Sequence, residues 1–268
     1  MPGIQHRRVA IAFAIAICAT APGVKAQVPA TIHDATLGEA NQRTSELSTS
    51  DLRRILLDRS ALVLDARPAG EFAISHIPGA RNVAPKPGVP ASAYVSDVAE
   101  IGRLVNGDRT APLVLYCNGP HCGKSKRLAD ELLAAGYTSV RRYQLGIPVW
   151  RALGGTCEIE PAGLRQAAAD PTAVFIDARD AEAFRAGSLP GARNLPRALV
   201  LEGKDVGEVK RAKDDGRLPM EDHNTRLIVI GRDAAEARHV AEAITREAFH
   251  NVAFFAGSIA EAKAAIGR

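Results

Sequence analysis

The chain has 268 residues, 46% of them hydrophobic and 24% charged, and a formal net charge of +4. Three of the bases, Arg7, Arg8 and Lys25, fall in the first 26 residues, which hold no acid, so the remainder is close to neutral. No basic stripe survives, so no nucleic-acid partner is expected. No later stretch is long and apolar enough to span a bilayer.

Residues 1–26 have the layout of a secretory signal peptide. His6, Arg7 and Arg8 form a basic start, Val9 to Ile17 is a short apolar run, and Val24-Lys25-Ala26 resembles a small-residue cleavage site before Gln27. The run is shorter than the ~20 residues a membrane helix needs. Cys18 does not read as a lipoprotein cysteine, because Ile15 and Ile17 stand where small residues would be expected. The expectation is a periplasmic or secreted protein with no stable membrane insertion after cleavage. The remaining ~240 residues suffice for two domains of ordinary size.

Residues 27–41 are polar without a period and read as a flexible lead-in. Ser48-Thr49-Ser50-Asp51 before LRRILL predicts a capped helix carrying Leu52, Ile55 and Leu56 on one face. Ala61 to Asp65 is a continuous apolar run of the kind that forms a strand buried on both faces of a parallel sheet. Arg81 to Pro90 is rich in Pro and Gly and reads as a loop. Leu113 to Tyr116 is a second buried strand, Lys126 to Ala135 a helix ended by Gly136, Val140 to Tyr143 a third strand, and Ile147 to Leu153 a short helix beginning near Pro148. The order then recurs: helix at Pro161 to Ala169, strand at Ala173 to Asp177, strand at Leu227 to Ile230, helix at Ala234 to Ala248, strand at Val252 to Phe255. Lys204 to Asp222, charged and Gly-containing, reads as a surface insertion. Alternating strands and helices predict an α/β fold with a mostly parallel sheet flanked by helices in each of two domains, at 42–156 and 157–268.

The recurrence is visible in the letters. DARPAGEFAISHIPGARNV (65–83) and DARDAEAFRAGSLPGARNL (177–195) share ten of 19 positions at an offset of 112. Val140, Tyr143 and Ile147 match Val252, Phe255 and Ile259 at the same offset. A period this long fits a duplicated globular domain and not a solenoid unit. LVLYC (113–117) lines up with LIVIG (227–231), so Cys117 in the first copy corresponds to Gly231 in the second. One working site and one silent domain are expected.

Cys117 ends a strand and precedes Asn118, Gly119, Pro120, His121, Cys122, Gly123, Lys124 and Ser125, which run into a helix. Ligands of open α/β sheets bind outside the carboxyl ends of the strands. A Gly-containing loop entering a helix N-terminus presents backbone N–H groups that stabilise an anion, a thiolate included. Lys124, and His121 when protonated, add positive charge. The competing reading is a buried core cysteine. Cys117, Cys122 and Cys157 are the three cysteines after the leader, and an odd number argues against a pure disulfide scaffold.

Three blocks carry a resemblance to the rhodanese family: DAR…EF…SHIPGARN at 65–82, the strand-Cys-loop-helix at 113–135, and V-x-x-Y-x-L-G-I-x-x-W at 140–150. A fainter second set lies at 177–194 and 252–259. The resemblance implies tandem domains of parallel strands flanked by helices. It also implies that Cys117 takes a sulfane sulfur as a persulfide and passes it to a thiophilic acceptor, while residues 118–125 cradle the persulfide and the donor. The implied partners are a small anionic sulfur donor, thiosulfate-like, and a thiol or cyanide-like acceptor; no cofactor is implied.

Departures from the family pattern leave alternatives open. The active copy has about two extra loop residues. The loop holds no arginine, which disfavours a phosphatase, since Arg is the usual bidentate phosphate ligand. Leu145 replaces a usual glycine. Cys122 reads either as a resolving thiol that closes a disulfide onto an oxidised or persulfidated Cys117 or as an inward packing residue. A metal site is not expected, because His121 and the two cysteines crowd one loop without a ligand pair elsewhere. Asp65 and Arg67 are candidate supporting residues, through bonds to loop N–H groups or to each other. Their repetition as Asp177 and Arg179 favours a structural role. His76 reads mainly as a brace of its turn and Trp150 as a packing residue. Two other functions compete with sulfur transfer: a non-catalytic sulfur- or anion-binding module, and a thiol–disulfide redox protein using Cys117 and Cys122.

Overall fold

The computed structural model describes residues 31–86, 88 and 96–267. The leader read at 1–26, the start of the lead-in at 27–30 and much of the loop at 87–95 lie outside the described residues.

Each half builds one five-stranded, all-parallel sheet with the same strand order. In the first half these are β1 (Ser45–Glu46), β2 (Leu62–Asp65), β3 (Arg81–Asn82), β4 (Leu113–Tyr116) and β5 (Val140–Tyr143), ordered β1-β5-β4-β2-β3. They alternate with α1 (Thr49–Asp58), α2 (Ala69–Ile74), α3 (Asp97–Leu104), α4 (Lys124–Ala134) and α5 (Gly146–Ala152). The second half has β6 (Cys157–Ile159), β7 (Val174–Asp177), β8 (Arg193–Asn194), β9 (Leu227–Gly231) and β10 (Val252–Ser258), ordered β6-β10-β9-β7-β8. Its helices are α6 (Pro161–Ala168), α7 (Ala181–Arg185), α8 (Gly207–Asp214), α9 (Ala234–Arg246) and α10 (Ile259–Ile266).

The central strands are the predicted apolar runs. All four residues of β4 and all five of β9 are buried, as expected where helices cover both faces. α1 starts where the sequence places a cap: the Ser48 hydroxyl accepts from the Asp51 N–H at 3.1 Å, and the Asp51 carboxylate accepts from the Ser48 N–H at 3.2 Å.

The segment 204–222 is not a surface insertion. It contains α8, which follows β8 as α3 follows β3, and it buries Val209, Ala212 and Leu218 in the second half's core. Its apolar residues are few among the charges, so the buried stripe is masked in composition.

The two halves share a core. One cluster joins Val114, Tyr116, Tyr143 and Trp150 of the first half to Cys157, Ile159, Leu164, Ile228 and Phe255 of the second. The seam is closed at α2 and α6, where Gly163 lies directly against the Ala73 carbonyl and leaves no room for a Cβ. His76 and Glu158 form an antiparallel bridge with both N–H···O bonds at 2.9 Å. Trp150 packs at the same seam, its Nε1 donating to the Thr156 carbonyl at 3.0 Å and its ring under the Arg53 guanidinium at 5.7 Å.

Candidate active site

Cys117 is the first residue after β4 and is 2% exposed. Seven residues, Cys117 to Gly123, connect β4 to α4. A turn in which the Cys122 N–H donates to the Gly119 carbonyl at 3.0 Å folds this loop back, and the Cys117 and Cys122 sulfurs are joined as a disulfide across 6.3 Å of Cα separation. Of the other loop residues, Gly119 and Ser125 are buried, Pro120 is half-buried, and Asn118, His121, Gly123 and Lys124 are exposed.

Two glycines shape the loop. Gly119 has φ +102° and packs on the Leu145 carbonyl. Gly146 has φ +67° and sits against Cys117, whose carbonyl accepts from the Ile147 N–H at 3.1 Å. The α4 N-terminus carries no side-chain cap: its cap residue is Gly123. The first-turn N–H groups of a helix have no intrahelical acceptor and collectively favour an anion. The bonded sulfur of Cys122 lies two residues before Lys124, so Cys117 is tethered at this helix start.

Asp65 and Arg67 come together, but with each other and not with the loop. The buried carboxylate of Asp65 accepts from the Arg67 N–H at 2.8 Å, Nε at 3.0 Å and Nη2 at 2.6 Å, and Nη2 also donates to the Ser75 carbonyl at 2.7 Å. Asn82 adds its Nδ2 to the Asp65 and Arg67 carbonyls. Asp177, Arg179 and Asn194 repeat every part of this staple in the second half, with Gly187 in place of Ser75. The repeated D-x-R…R-N letters therefore encode a buried clasp between β2 and β3, and between β7 and β8. His76 is likewise a brace: it stacks on Phe72 at 3.8 Å, and its Nδ1 lies 3.0 Å from the Phe72 carbonyl. Burial pushes its pKa down to about 4. Cys157 is a free thiol buried at the start of β6, and burial pushes its pKa up.

Residues 48–153 and 160–265 each match the family of rhodanese-like domains. The chain belongs to the rhodanese-like domain family. No curated protein compared with it matches. Among solved structures, it is similar to the thiosulfate sulfurtransferase of Pseudomonas aeruginosa, with 21% identity over 80% of this chain and 43% of that one, at a TM-score of 0.34. It is also similar to a rhodanese-like domain from an Anabaena protein, with 21% identity over 37% of this chain and 99% of that one, at a TM-score of 0.29. A third similarity is to a persulfide form of EanB with ergothioneine, with 15% identity over 79% and 59% of the two chains, at a TM-score of 0.36. The chain thus spans less than half of the Pseudomonas chain and about three-fifths of the EanB chain.

The second rhodanese domain shows what the first one keeps open. Only Arg232 and Asp233 separate β9 from α9. The Asp233 carboxylate caps α9 by accepting from the Glu236 N–H at 2.9 Å, and the Glu236 carboxylate accepts from the Arg232 N–H at 2.7 Å. The place at the helix start where an anion would sit is filled by the domain's own carboxylates. A Cβ on Gly231 would also lie 3.0 Å from the Ala237 nitrogen and 3.2 Å from Glu236 Oε2.

Several residues that hold the first domain's loop escaped the sequence reading. Glu71, in the first turn of α2, accepts from Asn118 Nδ2 at 2.6 Å. Arg142, 1% exposed, donates to Gln144 Oε1 at 2.6 Å, to Thr44 Oγ1 at 2.9 Å and to Glu39 Oε2 at 2.6 Å. Gln144 reaches the Pro120 carbonyl at 3.5 Å, and Glu39 also pairs with Lys126 of α4 at 3.1 Å. Arg142 holds the Glu39 carboxyl below its usual range. A signal was available: at the offset of 112, Glu71, Arg142 and Gln144 correspond to Ala183, Phe254 and Ala256. The polar residues occur only in the copy with the cysteine.

Proposed function

We propose that this chain is an exported sulfurtransferase that carries sulfane sulfur on Cys117. The observation that carries the reading is the contrast between two otherwise matching domains. In one, a strand-end cysteine adjoins a helix start without a side-chain cap; in the other, a glycine adjoins a helix start filled by Asp233 and Glu236.

The reduced Cys117 thiolate attacks the outer sulfur of a thiosulfate-like donor. The donor's S–S bond breaks, sulfite leaves with the electron pair, and a persulfide remains on Cys117. The first-turn N–H groups of α4 and the ammonium of Lys124 offset the negative charge of donor and persulfide. A thiophilic acceptor, a thiol or cyanide, then takes the terminal sulfur and returns the thiolate. Glu71 and Arg142 act through the loop, by holding Asn118, Gln144 and thereby Pro120. Export to the periplasm or outside the cell rests on the leader read at 1–26.

The test is release of sulfite and formation of thiocyanate by reduced protein mixed with thiosulfate and cyanide together. Both are expected from the parent and neither from Cys117→Ser. Sulfite release by Cys117→Ser at the parent rate would overturn the assignment. A thiol–disulfide redox protein is a second reading, favoured by the Cys117–Cys122 bond. It predicts exchange with dithiols and no sulfite from thiosulfate.

A further inference from the structure

We propose that Cys122 is a resolving thiol that discharges the Cys117 persulfide as free sulfide, giving the protein a sulfane-sulfur reductase activity beside transfer to an external acceptor. The proposal rests on the sulfur-carrying reading of Cys117 above.

Three features of the loop carry it. The sulfurs of Cys117 and Cys122 meet and bond, so one loop conformation brings the second thiol within attacking distance of the sulfur on Cys117. The contact is built by the turn from Gly119 to Cys122, made possible by the left-handed Gly119. That turn belongs to a six-residue connection between Cys117 and α4, where only two residues separate the matching Gly231 from α9. The two thiols also differ in access: Cys117 is 2% exposed, whereas Cys122 is half-buried. The inner thiol is thus suited to hold sulfur and the outer one to meet a reductant.

The chemistry closes without an unnamed co-reactant. Cys122 attacks the inner sulfur of the persulfide, the one bonded to the Cys117 β-carbon. The bond between the two persulfide sulfurs breaks, and the terminal sulfur leaves with the electron pair and the Cys122 proton as hydrosulfide. The Cys117–Cys122 disulfide forms. The two cysteine sulfurs are oxidised by two electrons together, and the transferred sulfur is reduced by two. A dithiol reductant then attacks the more accessible Cys122 sulfur, releases the Cys117 thiolate, and leaves as its own disulfide. Over a cycle, thiosulfate and a dithiol give sulfite, sulfide and a disulfide.

The experiment is an anaerobic single turnover. Full-length protein is reduced, freed of reductant and mixed with thiosulfate without an acceptor. Sulfite and sulfide are measured, and the protein's intact mass is recorded. The parent is expected to release sulfite and sulfide in equal amounts and to finish lighter than the reduced protein by two hydrogens. Cys122→Ser is expected to release sulfite, no sulfide, and to finish heavier by one sulfur atom. A parent that releases sulfite but keeps the extra sulfur overturns the resolving role and leaves Cys117 as the carrier. So does equal sulfide release from Cys122→Ser. Should neither protein release sulfite, the carrier reading itself falls, and this proposal with it. The parent's sulfide-to-sulfite ratio decides the question even where the variant does not fold.

Discussion

Gly146 lies so close to Cys117 that a Cβ on it would stand 2.5 Å from the Cys117 carbonyl oxygen. The same glycine is left-handed at φ +67°. Its counterpart in the second domain is Ser258, an ordinary helix cap at φ −75°. Gly146→Ala is therefore expected to cost about 1–3 kcal/mol from backbone conformation alone, and to push the Cys117 loop away from α5. Displacement of a reacting group by about 1 Å can cost on the order of 100-fold in rate. Urea unfolding and the rate of sulfite release measure the two effects. Parent-like values in both would show that the loop does not depend on this contact.

The Asp65–Arg67 clasp predicts a stability phenotype. Both side chains are buried, and removing one charge strands the other; breaking such a pair costs about 3–5 kcal/mol. Asp65→Asn should lower the urea midpoint by a corresponding amount, and so should Asp177→Asn. Protein that remains folded at low temperature should still transfer sulfur. If Asp65→Asn left stability unchanged and abolished sulfur transfer, Asp65 would belong to the chemistry and the clasp reading would be wrong.

The sequence exposed those parts of the fold that rest on local pattern. Leu113–Tyr116 and Leu227–Ile230 are apolar runs, and Ser48 with Asp51 is a local cap. β1, β3 and β8 have two residues each, too few to show a period, and their place is set by parallel pairing with strands far along the chain. α2 is six residues long, and its burial is decided by Phe72 and Ala73 at the α6 seam. At the site, Cys117 was legible because a strand end and a following loop are both local signals. The Glu39–Arg142 pair was not, because it joins residues about a hundred positions apart and leaves no local trace. The comparison between copies that revealed Gly231 opposite Cys117 also contained Phe254 opposite Arg142, and there the difference reports what braces the loop.

The second domain differs at its helix start by more than the missing thiol. With Glu236 accepting from the Arg232 N–H, and Gly231 tight against Ala237 and Glu236, a cysteine at 231 would be crowded and would face a helix start already filled by carboxylates. Gly231→Cys made in the Cys117→Ser protein is expected to give no sulfite from thiosulfate. A stoichiometric burst of sulfite from that double variant would show that the nucleophile alone is what the second domain lacks.

His76 couples the domain seam to pH. Its imidazole faces the Phe72 carbonyl, Glu158 at 3.9 Å, and the charges of Asp65 and Arg67, and burial lowers its pKa from 6.5 to about 4. Between those values the unfolded chain binds more protons at this residue than the folded protein does, so stability rises with pH across the window and is lost as pH falls through it. The upper limit of the effect is roughly 3 kcal/mol. Burial raises the Glu158 carboxyl, which acts in the opposite sense and offsets part of the loss. Subtraction isolates the histidine: the parent's melting temperature should drop from pH 6.5 to pH 4 more steeply than that of His76→Gln. Equal slopes would mean that the imidazole is not held neutral at the seam.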